Sequence, residues 1–405
     1  MTLQITYPEI VGLSESSLSV AFCVNDATGP VDAEAQVFLN GEVRAHSASA
    51  AATRLLKIVD LAPDTEYRIE IRSGSASGQP DDYFPKSIRT HPAPEASCVG
   101  SFGTLNDLHF GEARIGGRMT EDMEYGDEAE GFPLVRASDT ETPYTRFMNE
   151  DAVSAINAAG VDMAIIKGDI ADRGLPEQFA EARAVFGGFE MPHHAFLGNH
   201  DYLEHAKGNK VDGYALLGQP PAPRVVELGG WRLVLLETND PGRHPGHFDE
   251  GRMRWLEDCL RESEERETPT LLLMHHHPVP PEHATSYPNT IGLNPEHSVE
   301  LFSLLGRSTQ TKGVLIGHTH RNRVRRYAAS GNIPYAEVNN SKDYPGGWGH
   351  YRLFEDGSFR QEVRRTGSER ALAHSTKCRD LFKGYYRQFA FGALADRSFV
   401  AGGIQ

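Results

Sequence analysis

Five short segments concentrate side chains that bind metals or move protons. "NDLHFG" carries Asp107 and His109, and "KGDIADRG" carries Asp169, Asp172 and Arg173. "GNHD" supplies Asn199, His200 and Asp201, "MHHHP" supplies His275, His276 and His277, and "GHTH" supplies His318 and His320. Carboxylate, imidazole and amide oxygen together suit borderline divalent metals such as Mn, Fe, Zn, Co or Ni. No cysteine belongs to the set, which excludes a zinc-ribbon or iron–sulfur reading. Any single cluster has a bland explanation: a buried histidine is commonly a hydrogen-bonded core residue, and Gly-Asn is commonly a turn. Five clusters in one chain are not explained that way. On extended backbone, residues i and i+2 point to the same side. The spacing therefore predicts that Asp107 with His109, and His318 with His320, each aim two side chains at one point.

These clusters need elements to hold them. "CVGSFGTLND", "VDMAIIKGD", "HHAFLGNHD", "WRLVLLETND", "PTLLLMHHH" and "KGVLIGHTH" are apolar runs of strand length that end in polar residues. Helical patterns lie between several of them, as in "TRFMNEDAVSAINAAG" and "EGRMRWLEDCLRESEER". Strand–helix alternation predicts an α/β domain with largely buried strands, whose chemistry collects at the carboxyl ends of the strands. Those ends are where the clusters fall. Residues 1–94 read differently, as short strands separated by turns, which predicts a small all-β sandwich. "LAPDTEYRIEI" resembles the fibronectin type III pattern, which implies a corner hydrogen bond from Tyr67. "RTHPAPEAS" reads as a linker. The catalytic domain is expected over 95–355, followed by a C-terminal extension over 356–405. A long acidic insertion at 110–145 reads as a solvated loop or a lid. The aromatic, partly basic tail either packs on the core or joins a homo-oligomer interface.

A formal charge of −16 argues against a nucleic-acid backbone as the main partner, because that binding needs clustered Lys and Arg. It leaves room for a small anionic substrate, since bound cations reverse the local field. No run approaches a membrane span, and the N-terminus shows neither a basic region nor an apolar stretch of the kind a signal peptide carries. Cys23, Cys98, Cys259 and Cys378 are scattered without motif spacing, so free thiols and a cytoplasmic location are expected.

The order D-x-H, G-D-x-x-D-R, G-N-H-D, H-x-x-P and G-H-x-H resembles the calcineurin-like metallophosphoesterase superfamily over residues 97–355. The resemblance implies a four-layer α/β/β/α sandwich and two divalent ions, with Mn, Fe or Zn favoured. One ion takes Asp107, His109 and His320, the other takes Asn199, His275 and His318, and Asp169 bridges both. Three histidines compete for one position in "MHHHP"; His275, the first after the strand, is favoured, with His276 facing solvent or substrate. His193 and His194 are read as scaffold. By the same resemblance His200 contacts the phosphate and protonates the leaving alcohol, while hydroxide between the ions attacks phosphorus in line. Asp201 is expected to orient His200, and Arg173 to contact phosphate or form a structural ion pair. Lys342 and Tyr344, in "NNSKDYPGGWGHYRL", are either pocket residues or part of a turn. Asp172 stands where purple acid phosphatases, which also carry a fibronectin-like domain, place a tyrosine ligand. "GHTHRN" looks more like bacterial phosphodiesterases of cyclic nucleotides and glycerophosphodiesters. The expected function is thus a small-molecule phosphodiesterase. A phosphomonoesterase of the same fold and a non-catalytic binding module are the alternatives.

Overall fold

The structure is a computed structural model and describes residues 2–49, 51–118 and 126–402. Two six-stranded sheets form its centre. The first runs in the order His193–Phe196, Met163–Lys167, Cys98–Leu105, Gly347–Phe354, Ser358–Arg365, Ser398–Gly402. The second runs Arg224–Leu228, Trp231–Leu236, Thr270–Met274, Thr311–Ile316, Pro334–Glu337, Arg323–Arg326. Their inner strands are parallel: Met163–Lys167 pairs with both neighbours in parallel, as does Thr270–Met274. Segments such as "MAIIK", "WRLVLL" and "TLLLM" are buried at every position. A strand covered on both faces has no polar side to present, hence these continuous apolar runs.

Three apolar layers hold the sheets. Phe102, Ile165, Phe196, Leu233, Leu273 and Tyr351 pack between them. Helices Tyr144–Ala159 and Pro176–Phe186 cover the outer face of the first sheet through Val153, Ile156, Phe179 and Ala182. Helices Glu250–Glu265 and Pro295–Leu305 cover the second through Leu256, Leu260, Leu301 and Phe302. This is the α/β/β/α sandwich. The extension from residue 356 is woven into it, because Ser358–Arg365 pairs with Gly347–Phe354 and Ser398–Gly402 closes the same sheet edge. No described helix is long and apolar enough to cross a membrane.

The N-terminal part is a pair of antiparallel sheets, one built on Gln4–Leu13 and Leu18–Asp26, the other on Ala33–Leu39 and Glu66–Ser73. Val20, Phe22, Val37, Ile69 and Ile71 fill the space between them. Tyr67 makes its corner: the Ala62 amide donates to its hydroxyl at 2.8 Å.

The sandwich is joined to the rest by buried charge. Glu9 is 2% exposed and accepts from Tyr344 Oη at 2.6 Å, Arg387 Nε at 2.8 Å and Arg365 Nη1 at 3.5 Å. Glu15 holds Arg352 at 2.6 Å and Arg360 at 3.0 Å. Arg397, also buried, donates to the carbonyls of Ile10 and Val11. Buried charges persist only when paired and hydrogen-bonded, so these contacts define a specific junction rather than a loose tether.

Candidate metal centre

All five clusters converge on one end of the two sheets. Asp107, Asp169, Asn199 and His275 are at most 1% exposed. One ligand atom each from Asp107, His109 and His320 lies within 4.8 Å of the others, and the same holds for Asp107, Asp169 and His275. Asn199 Oδ1 is 3.1 Å from His275 Nε2, on the side of the second group. The carboxylate of Asp169 stands between the two groups. Its Oδ1 accepts the His200 amide at 2.9 Å. Its Oδ2 lies 3.2 Å from His275 Nε2 and 3.7 Å from His109 Nε2.

The convergence has a different cause from the one the i, i+2 spacing predicts. Asp107, His109, Asp169, His318 and His320 all have φ between 46° and 69°. Left-handed backbone at non-glycine residues costs roughly 1–3 kcal/mol each and collects at functional sites. These side chains meet because the chain turns sharply where each strand ends, not because the strands continue. Two glycines make the turns fit. A Cβ on Gly198 would sit 2.3 Å from both the amide nitrogen and Oδ1 of Asp169, and one on Gly168 would sit 2.6 Å from His275 Nδ1.

The donor set fits metal ions. His275 Nδ1 is 2.8 Å from the Lys167 carbonyl, which makes it the protonated nitrogen and leaves Nε2 with its lone pair among the carboxylates. His318 Nε2 meets the Ile291 carbonyl at 2.8 Å, so Nδ1 is the free nitrogen there. His109 Nε2 and His320 Nε2 face each other at 3.2 Å, two imidazole nitrogens without a carbonyl to divide their roles. Burial pushes His109 down to about 4 and lowers His318 and His320 well below the usual imidazole range. Neutral imidazole is the form that binds metal. At His275 burial also opposes charge, yet Asp169 and Asp107 lift it to about 9, so without a cation Nε2 holds a proton against Asp169, and a bound metal would take that proton's place. At Asp169 burial acts upward, but His275 and His200 outweigh it and hold the carboxyl well below its usual range. The site thus has negative charge that calls for a cation, surrounded by lone pairs able to hold one. Buried carboxylates and imidazoles in two overlapping groups fit a two-metal centre.

Other candidates take places the spacing did not foresee. Asp201 does not orient His200. Its carboxylate accepts the amides of Ala171 at 2.7 Å, Gly198 at 2.8 Å and Ile170 at 3.2 Å, which ties the Asp169 loop to the Asn199 loop. The residue that holds His200 is Asp172, whose carbonyl accepts from Nδ1 at 2.7 Å. His276 was expected to face substrate, but it is fully buried, with Nδ1 at 2.8 Å from Thr238 Oγ1 and Nε2 at 3.0 Å from the His244 carbonyl. Tyr344 is also buried, and its hydroxyl serves Glu9 at the sandwich junction. Lys342 is 0% exposed and donates to Glu112 at 2.8 Å and Asp343 at 3.1 Å. It braces the site from behind rather than lining it. His193 and His194 begin the edge strand of the first sheet.

Three contributors escaped the sequence reading. His244 has its Nδ1 3.2 Å from Asn199 Nδ2, and it comes from a loop, "NDPGRHPGHF", that lacks a recognisable ligand spacing. Lys167, the last residue of its strand, is buried beside Asp107; burial pushes its amine down to about 7, and Nζ donates to the Ile316 carbonyl at 2.6 Å. Glu112 opens the acidic insertion and accepts from both Lys342 and Tyr144.

A cleft of about 890 Å³ opens over the centre, with His109, Asp169, His200, His318 and His320 on its floor. Arg173 and Lys207 border it on one side, and Arg114 and Arg118 of the insertion on another. Arg173 makes no ion pair among the described residues, which leaves its guanidinium to the cleft. Lys207 pairs with Glu204 at 2.7 Å and Arg114 with Asp127 at 3.8 Å, and Glu112, Asp169 and Asp172 also line the cleft, so Arg173 is the cation it offers an anion most directly. His200 sits at this edge; burial acts against its charge, but Asp169 and Asp172 raise its pKa.

Parts of the sequence match known proteins. The 3′,5′-cyclic adenosine monophosphate phosphodiesterase CpdA of Pseudomonas aeruginosa is 32% identical over 162 residues, 40% of this chain and 55% of that protein. A probable cyclic nucleotide phosphodiesterase of Synechococcus sp. is 27% identical over 206 residues, 50% of this chain and 76% of the relative. The glycerophosphodiester phosphodiesterase GpdQ of Enterobacter lignolyticus is 27% identical over 187 residues, 44% and 64% respectively. The match therefore spans little more than half the length of the Pseudomonas relative. Among solved structures, the purple acid phosphatase PPD1 of yellow lupin superposes with a TM-score of 0.43 at 13% identity, covering 90% of this chain and 73% of that one. The description "Calcineurin-like phosphoesterase" matches residues 102–322, more than half of the chain. With its clusters and their order accounted for in that span, the chain belongs to the calcineurin-like phosphoesterase family.

Proposed function

We propose that this metallophosphoesterase is a phosphodiesterase of small anionic diesters, with phosphate monoesters as the secondary substrate class. The observation that carries the reading is Asp169, whose carboxylate is shared between two groups of buried ligand atoms on the floor of a cleft bordered by Arg173. Two divalent ions there, with Mn, Fe or Zn suited to the donors, would supply Lewis acidity toward phosphoryl oxygen and acidify a water to a nucleophile at neutral pH. Asp107, His109 and His320 would hold one ion, Asn199, His275 and His318 the other, with Asp169 common to both.

The remaining groups act on the ester. Because Nδ1 of His200 faces the Asp172 carbonyl, its Nε2 is the end that delivers a proton. Placed at the cleft edge, it serves a phosphoryl oxygen in the ground state and the leaving alcohol in the transition state. Arg173 contributes a planar two-pronged donor for a second phosphoryl oxygen. Asp201 and Gly198 keep the two ligand loops in register. Relatives named as cyclic nucleotide and glycerophosphodiester phosphodiesterases support diesters over monoesters and direct the substrate search to those two classes. The four cysteines are unpaired, three of them buried, which fits a reducing compartment such as the cytoplasm.

The test is hydrolysis of bis(p-nitrophenyl) phosphate and p-nitrophenyl phosphate by one Mn-loaded preparation. A higher kcat/KM for the diester is expected. A preference for the monoester would replace the proposal with a phosphatase, and turnover of neither by metal-loaded protein would leave a binding module.

A further inference from the structure

Part of the cleft wall is aromatic. Phe382, Tyr385, Tyr386 and Phe389 are the tail residues that line it, and Tyr287 lines the same cleft. Their spacing, 382, 385/386 and 389, is one stripe along the turn and helix Tyr385–Phe391. The buried side of that helix is already accounted for: Tyr386, Ala390 and Phe391 pack in a core with Tyr144, Phe147 and Tyr344. Phe382 and Phe389 pack partly against this core and also line the cleft, and Tyr385 carries the aromatic surface outward. That surface is open. Tyr385 is 60% exposed and Tyr287 50%, among the most exposed large apolar side chains described.

These rings already show the geometry of a stacking surface. Tyr386 and Phe389 lie nearly parallel, 15° apart with centroids at 6.4 Å, and Tyr385 follows at 6.5 Å from Phe389. The Arg321 guanidinium lies 5.3 Å from the Phe389 centroid and is fixed by Glu337 at 3.2 Å. Arg321 adjoins His320 in the chain, so this aromatic wall is tied directly to the floor of the cleft. At about 890 Å³ the cleft is near the upper end of the roughly 300–1,000 Å³ of small-molecule sites, leaving room beyond a bare phosphodiester.

We infer that Tyr385 and Phe389, with Tyr287 lining the same cleft, form a subsite for a planar ring carried by one ester arm of the phosphodiester. This inference rests on the metal-centre reading above and adds to it the class of substrate: a diester with an aryl or nucleobase group, not a purely aliphatic one. A flat ring matches the wall because every such ring has a π face, and stacking on an aromatic side chain needs no particular hydrogen-bond pattern. Arg321 behind Phe389 fixes the shelf rather than meeting the ligand.

The experiment is isothermal titration calorimetry of the Mn-loaded full chain with methylphosphonate, phenylphosphonate and a nucleoside 5′-phosphonate, none of which contains a hydrolysable ester. Stacking on one to two rings is expected to tighten the ring-bearing ligands roughly 10-fold or more over methylphosphonate. In the double variant Tyr385→Ala, Phe389→Ala that ratio should fall to about 2-fold or less, while Tyr385→Phe, which keeps the ring, should preserve it. The ratio is taken within each variant, so a general weakening of phosphonate binding does not enter it. Equal tightening by phenyl and nucleoside assigns the subsite to aryl groups, and additional tightening by the nucleoside assigns it to a nucleobase. A ratio near one in the parent protein, or one that survives the double alanine variant, overturns the subsite and leaves the phosphodiesterase proposal standing. Phosphonates that bind with the expected ratio while no diester is hydrolysed would overturn the phosphodiesterase proposal instead. Failure of every phosphonate to bind overturns the subsite.

Discussion

Replacing Asp201 with asparagine separates two accounts of this residue. As a support, its carboxylate takes three backbone amides, with Oδ1 on Ala171 and Oδ2 on both Gly198 and Ile170. Asparagine keeps one oxygen, which can satisfy one side. The NH₂ group must then face amides that are themselves donors. Asp201 is 1% exposed, so water cannot make up the loss. A buried donor left without a partner costs about 1–3 kcal/mol. With its oxygen turned to Gly198 and Ile170, the Ala171 amide and the new NH₂ both lack an acceptor, and Asp201→Asn should destabilise the chain by about 3 kcal/mol. At 2–4 °C per kcal/mol for a domain of this class, the melting temperature should fall by roughly 6–12 °C. The three amides flank Asp169 and Asn199, so metal affinity should fall in parallel, measured by calorimetric titration of Mn into the stripped protein. Thermal melts of stripped and loaded protein, with kcat on bis(p-nitrophenyl) phosphate from the same samples, make the comparison. The reasoning is refuted if Asp201→Asn melts within about 2 °C of the parent, binds metal normally and still loses kcat more than 100-fold. That pattern would return Asp201 to a role in the proton chemistry of His200.

Three further outcomes are expected. Gly198→Ala places a methyl group 2.3 Å from Asp169; metal analysis after gel filtration should show at least one of two ions bound roughly 10-fold more weakly or worse, and full retention of both would show that the loops have slack. Glu9→Ala leaves Arg365 buried without its carboxylate and Arg387 with Asp81 alone at 3.6 Å, so urea unfolding should lose about 3 kcal/mol; a loss under about 1 kcal/mol would mean the junction is not stability-bearing. At Glu15 burial acts upward, but Arg352 and Arg360 outweigh it and bring the carboxyl down to about 2 from 4.5. A depressed carboxyl stabilises the fold above its unfolded value and loses that stabilisation as pH falls from about 4.5 toward 2. Glu15→Gln should therefore cost about 1–2 kcal/mol at pH 7, discounted for partial exposure, and the gap from the parent should close near pH 2–3 in acid-titration melts; a gap independent of pH would contradict the assignment.

The ligand clusters were legible because their chemistry is local. Residue types such as Asp-Leu-His and Gly-His-Thr-His, placed after apolar runs, state both what they can bind and where the sheet leaves them. The same locality explains the layers, since "TLLLM" has no polar face to show. Where the reading went astray, the deciding partner lay far along the chain. His276 looks like its neighbour His275, and only Thr238 and the His244 carbonyl, 38 and 32 positions away, bury it. Tyr344 is claimed by Glu9 across 335 positions. His200 and Asp201 are adjacent, which suggested a pair, yet the turn sends the Asp201 carboxylate back under its own loop. The left-handed φ values of the ligands were not legible in the sequence, because they fall on Asp and His rather than on glycine. The insertion and the tail gave no periodic signal for a shared surface, and only the fold shows that both wall the same cleft.

The junction between the sandwich and the tail sets a clock on synthesis. The amide of Leu13 donates to Ser398 Oγ, and the carbonyls of Ile10 and Val11 wait for the Arg397 guanidinium. Leu13 and Ser398 are 385 positions apart, which at ribosomal speeds of about 5–20 residues per second is an interval of roughly 20–80 s. Throughout that time the first strand has backbone groups with no partner, and the aromatic wall of the cleft has not yet been made. A nascent chain thus lacks these contacts and the full cleft until the segment with Arg397 and Ser398 has left the ribosome, and its yield in a cell should depend on what shelters that first strand in the meantime.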